Sequence, residues 1–306
     1  MKQQEFRYGA LVGASVVVAI WLASLADPGT FGVSGIVFGQ TTHHTRESSN
    51  TPTDPHCVAG SSCAGLAAAR LRFEAGPEIF PQSWREAPFF AQASPICESQ
   101  KERATRIVAR EIERYPRALI ERTLPAVFLV GSLRFYQRQA FSGTASARAV
   151  YLAVQAPDQG YTDQHLAKTF HREYSTLLLN WNLDKIDFDA WQRVNPPDFQ
   201  YLDGNSWDGD QQDGGSRAID QGTISLALSQ DSADLKHGFL AQYARSSLEN
   251  DFNEYAARLF TGSAVLWELA EEYPAIATKC ELAIRFYHQL HPDLDEAFFR
   301  ALAQKN

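Results

Sequence analysis

The sequence has no run of basic residues: 28 Lys and Arg stand against 36 Asp and Glu in 306 residues, a formal net charge of -8. Holding phosphates needs clustered Lys and Arg, so nucleic acid is set aside as a partner. C-x-x-C is missing among the four cysteines, Cys57, Cys63, Cys97 and Cys280, which argues against a thiolate metal site. No internal repeat recurs. An EF-hand is missing too, although the acidic, Gly-rich stretch 203–215 invites the comparison. A calcium loop begun at Asp208 would put Asp213 where the turn needs Gly, and Ile219 where it needs a bidentate Glu. That stretch reads as a surface loop.

What is present describes an ordinary globular chain, with 44% hydrophobic and 21% charged residues. The N-terminus carries a separate signal. Lys2 and Arg7 precede an uncharged run from Tyr8 to Ala26, long enough as a helix to cross about 30 Å of hydrocarbon. It reads as a membrane anchor through residues 8–26, with the domain outside the cytoplasm because the positive flank stays inside. The alternative is a signal peptide cleaved after Ala26, where Ser24-Leu25-Ala26 offers small residues. An even cysteine count in an exported segment allows three pairings. Cys57 with Cys63 and Cys97 with Cys280 is the set expected here.

Residues 27–76 are rich in Gly, Ser, Thr, Pro and Asn, include His43 and His44, and read as a flexible linker. Residues 77–306 then form the domain. Its first part, 77–95, mixes Phe80, Trp84, Phe89 and Phe90 with helix breakers and reads as an irregular arm. Periodicity predicts helices over 98–113 and 117–123, and strands over 126–130 and 149–154, with a third possible strand over 133–136. After an irregular region, Ser246 and Glu249 have capping-box spacing ahead of a helix ending at Gly262. Two further helices, 264–272 and 275–290, are separated by Pro274.

Between the strands and that lobe lies the central stretch, YTDQHLAKTFHREYSTLLLNW, residues 161–181. Leu166, Phe170, Tyr174, Leu177, Leu178 and Trp181 recur at three and four and form one helical stripe, while His165, Thr169, Arg172 and Thr176 fall opposite. In zinc peptidases with an H-E-x-x-H helix, two imidazoles one turn apart reach one metal and the adjoining Glu is the general base. The same frame here reads R-E-x-x-T. On the later helix, Asn250 and Glu254 lie one turn apart.

The segments TFHREYSTLL, NPPDFQY, GFLAQYARSSLENDFNEYAARLF and the final LWELAEEYP…ATKCELAIRFYHQL resemble a zinc-binding metallopeptidase family found on exported bacterial proteins. The similarity covers residues 98–299. It implies an α+β, zincin-like fold: a small sheet, an active-site-type helix and a mainly helical C-terminal lobe. Members typically read like T-F-H-H-E-F in the first helix and E-D-F-A-E in the later one. Carried over, their first metal-binding His falls on Arg172, the general base on Glu173 and the second His on Thr176. The third ligand falls on Asn250 and its supporting acid on Glu254, while His171 matches the other family histidine.

All three ligand positions are therefore substituted, and no metal or cofactor is expected. The resemblance implies a non-catalytic, pseudopeptidase domain that binds a protein or peptide partner, with Arg172 bridging to Glu254 in place of a metal. The alternative is an active zinc metallopeptidase with nonstandard ligands, for which His171 and Glu249 would be the donors. A third reading is a structural module whose cleft has no task, and the plainest alternative leaves all of these side chains on solvated helix faces.

Overall fold

The computed structural model describes residues 63–136, 139–202 and 227–305, together with a two-residue strand at Ala19–Ile20. The rest of the expected N-terminal segment 8–26, Cys57, the His43/His44 pair and the 203–215 loop lie outside the described residues. Among the described residues, no helix is long and apolar enough to cross a membrane.

The described chain is α+β. Its strands are β1 (Leu71–Arg72), β2 (Gln92–Ser94), β3 (Val127–Val130), β4 (Ser132–Phe135), β5 (Gln139–Ser146) and β6 (Ala149–Ala153). They pair in the order β1-β3-β6-β5-β4-β2, and Ala19–Ile20 lies beside β5. The β1-β3 and β3-β6 pairs are parallel and the others antiparallel. The helices are α1 (Cys63–Ala68), α2 (Gln82–Arg85), α3 (Glu98–Ile112), α4 (Arg117–Thr123), α5 (Asp163–Trp181), α6 (Phe188–Val194), α7 (Ser232–Lys236), α8 (Leu248–Phe260), α9 (Ala264–Glu272), α10 (Pro274–Leu290) and α11 (Glu296–Gln304).

The period-2 strands divide their side chains between two cores. Val127, Leu129, Val150 and Leu152 face the helices and join Phe170, Tyr174, Leu177, Phe252 and Phe260. Val130, Tyr151 and Ala153 face the other way, onto Phe80 and Trp84 of the 77–95 segment. That segment is more ordered than an irregular arm: a 3₁₀ turn, α2 and β2 anchor it, and Phe80 stacks on Tyr151 with ring centroids 5.2 Å apart. Each large side chain buried this way stabilises the fold by roughly 1.5–3 kcal/mol.

Several expectations need correction. The supposed linker up to residue 76 belongs to the domain from Cys63 onward, because α1 and β1 bring Ala67 and Leu71 into the main core. Strand β5, QAFSGTAS, was not expected; apart from Phe141 its residues are mostly small or polar, and its place comes from pairing with β4 and β6. Cys97 and Cys280 are free thiols, one exposed at the start of α3 and the other buried in α10, so that disulfide is absent. Ser247 caps α8, accepting from the Asn250 amide at 3.0 Å. Ser246, the expected cap, instead donates to the Tyr243 carbonyl.

Helix α5 sits at the centre. The Thr162 hydroxyl caps it by accepting from the His165 amide at 3.1 Å. The helix packs on β5 and β6, on α3 and, most extensively, on α8. Its polar positions are therefore interior: residues 169–179 are all buried.

Candidate functional site

The crossing of α5 and α8 gathers the polar residues of both helices. Positions four apart stack one turn above another, so α5 presents Lys168, Arg172 and Thr176 in a row and α8 presents Asn250, Glu254 and Arg258. Arg172 Nη2 lies 2.6 Å from Glu254 Oε1, with the two side chains 10% and 1% exposed. Arg258 Nη2 approaches the other oxygen, Glu254 Oε2, at 3.5 Å. One carboxylate thus stands between two guanidinium groups. Lys168 is half-buried at the mouth of this group, its amine brought down to about 8 by burial, then by Arg258 and Arg172, with Glu254 opposing them. His165, also half-buried, is pushed down to about 4 by burial and by the charges of Arg172 and Lys168.

A second cluster adjoins it. Asn253 Nδ2 donates to Thr176 Oγ1 at 2.8 Å, pinning α8 to α5. Burial drives the Glu249 carboxyl up to about 7, against hydrogen bonding from Thr176 and Asn253. Glu173 is fully buried and, among the described residues, neither of its carboxyl oxygens has a hydrogen-bond partner. Burial and the neighbouring Glu249 lift it well above the carboxylate range, and Arg172 offsets only part of this. Strand β5 closes that side. A Cβ at Gly143 would come within 2.6 Å of Thr169 Cγ2 and 2.9 Å of Glu173 Cγ, so this close approach requires glycine.

Two candidates turn elsewhere. Asn250 Nδ2 folds back past the start of its helix and donates to Ser246 Oγ at 2.9 Å. His171 faces α3: its Nε2 is 2.9 Å from Glu111 Oε2 and its Nδ1 is 2.9 Å from the Tyr115 hydroxyl. An ionised carboxylate only accepts, so Nε2 carries the proton and Nδ1 accepts from Tyr115. Burial favours this neutral imidazole. Glu111 resists its own burial and is held down to about 2 by His171, Arg114 and Arg110. His171 and Glu249 therefore point into different networks, which removes the expected pair of displaced donors.

The positions matched to metal ligands, Arg172, Thr176 and Asn250, supply no imidazole or carboxylate, and they do not fit a zinc ion. Among the described residues, no three His, Cys, Asp or Glu side chains are placed to hold a metal. Lys168, Asn253 and Arg258 were not anticipated, although Lys168 and Arg258 stand one turn from Arg172 and Glu254 and that spacing was visible. Compared with family models, with curated proteins and with solved structures, the chain matches none significantly.

Proposed function

We propose that the chain is a membrane-tethered, extracytoplasmic protein whose domain has a zincin-like, metallopeptidase-type fold and acts by binding a protein or peptide partner without catalysis. The observation that carries this reading is the 2.6 Å ion pair from Arg172, at the position matching a metal-binding His, to Glu254, at the position matching its supporting acid. A guanidinium stays charged and repels a divalent cation within a few ångströms. Burial and Glu249 raise the carboxyl of Glu173, at the general-base position, and so disfavour the ionised form that a general base needs.

The test is metal content and proteolysis of the purified full chain. No stoichiometric zinc after dialysis and no chelator-sensitive casein cleavage are expected. One tightly held zinc per chain would sink the reading. Replacing Arg172 and Thr176 by His and Asn250 by Glu should supply three protein ligands with Glu173 beside them, and zinc uptake by that variant alone would support the assignment of positions. Membrane tethering is tested separately, by whether the full chain stays with the membrane after alkaline extraction.

A further inference from the structure

The charges at the α5–α8 crossing do not balance. Two guanidinium groups, Arg172 and Arg258, flank one carboxylate, Glu254, and a third cation, Lys168, stands one helical turn before Arg172 within the influence of all three. Burial raises the neighbouring carboxyls of Glu173 and Glu249 and so favours their uncharged forms, which weakens any compensation from them. The buried Lys279–Asp251 pair elsewhere in the core, by contrast, is matched one to one at 2.6 Å. The side chain of Arg258 is 6% exposed and that of Arg172 10% exposed, yet the Nε atom of each is buried and, among the described residues, has no hydrogen-bond partner. Concentrating like charges away from water is costly unless something of opposite sign joins them.

We propose that Lys168, Arg172 and Arg258 form a binding site for a compact oxyanion, a phosphate or a carboxylate group, entering past the half-buried Lys168. Both chemistries present several acceptor oxygens to guanidinium and ammonium donors. Glu254 is the built-in competitor: it holds the two arginines in place and leaves their remaining donors and Lys168 for the incoming group. His165 lies at the mouth as a neutral ring, so it adds no charge to the site. This site stands on the charge distribution itself and goes beyond the pseudopeptidase reading. A zinc assay that sank that reading would leave it intact.

Isothermal titration of the full chain at low salt tests it with two probes. One is inorganic phosphate; the other is a short neutral peptide with a free C-terminal carboxylate, compared with its amide. Saturable binding of phosphate, or of the free-acid peptide over the amide, is expected, and which one binds identifies the source of the oxyanion. Lys168→Gln, at a half-buried position, should weaken binding about tenfold, the loss of one charge-assisted contact, and Lys168→Arg should restore it. Raising the pH from 7 to 9 should weaken the wild-type chain more than the Gln variant, because only Lys168, facing Arg172, His165, Arg258 and Glu254, loses its charge through about 8. Heat from neither probe, or equal affinity in wild type and Lys168→Gln, would overturn the proposal.

Discussion

Arg172 on α5 and Glu254 on α8 are joined at 2.6 Å across the helix crossing, and Arg258 holds the other oxygen of the same carboxylate. Removing one member of a buried pair leaves its partner desolvated and uncompensated. Arg172→Ala should therefore destabilise the domain by about 1–3 kcal/mol, the lower end reflecting the support that Arg258 still gives Glu254. Chemical denaturation measures it. A loss under about 0.5 kcal/mol would mean that the pair behaves as a solvated surface contact.

The matched pair in the core should be less forgiving. Lys279 Nζ lies 2.6 Å from Asp251 Oδ2, with both side chains fully buried, and the same oxygen accepts from Trp191 Nε1 and the Tyr201 hydroxyl. Lys279→Met strands the carboxylate and should cost about 3–5 kcal/mol. Adding Asp251→Asn should recover part of that loss. Identical unfolding midpoints for the single and double variants would refute the coupling.

Where local pattern decides structure, the sequence was legible. The helix over 117–123 and the helix over 264–272 fall where apolar spacing and proline punctuation put them. Strand β5 was not legible, because QAFSGTAS has little β-branched or aromatic content and is defined by its neighbours. The Arg172–Glu254 contact could be anticipated only through the family resemblance, which sets the two helices across one cleft; spacing alone marks the polar face of each helix but not that they meet. The engagement of His171 by Glu111, sixty positions earlier, could not, since nothing in either segment marks the other. Counting cysteines was equally blind to the fact that Cys280 faces the core while Cys97 lies at the surface.

His171 follows from that last point as a packing residue. It is fully buried, stacks on Phe260 with ring centroids 5.3 Å apart and satisfies both Glu111 and Tyr115. His171→Ala should cost about 2–4 kcal/mol by opening a cavity and removing one donor from Glu111, which keeps Arg110 and Arg114, and the acceptor of the Tyr115 hydroxyl. Oxyanion binding at Lys168 should not change. Loss of that binding in a variant with a native-like circular dichroism spectrum would instead tie His171 to the site.

Glu249 gives the pH dependence its sign. In the unfolded chain it titrates near the ordinary value of 4.5, whereas burial raises it to about 7 in the fold. Below about pH 4.5 both states carry the proton and its titration contributes no difference. As the pH rises, the unfolded state ionises first, so stability falls between about pH 4.5 and 7 and then levels off, a change on the order of 3 kcal/mol. Glu173, also raised by burial, acts in the same sense, while His165 and His171, both lowered by burial, act in the opposite sense and lose stability on acidification. Glu249→Gln isolates the effect, because Gln stays neutral and can still accept from Thr176 and Asn253. The variant should match the wild type near pH 4 and exceed it near pH 8. Parallel stability curves for the two proteins would show that the carboxyl titrates normally, and Glu249 would then belong to a hydrated cleft rather than a dry helix crossing.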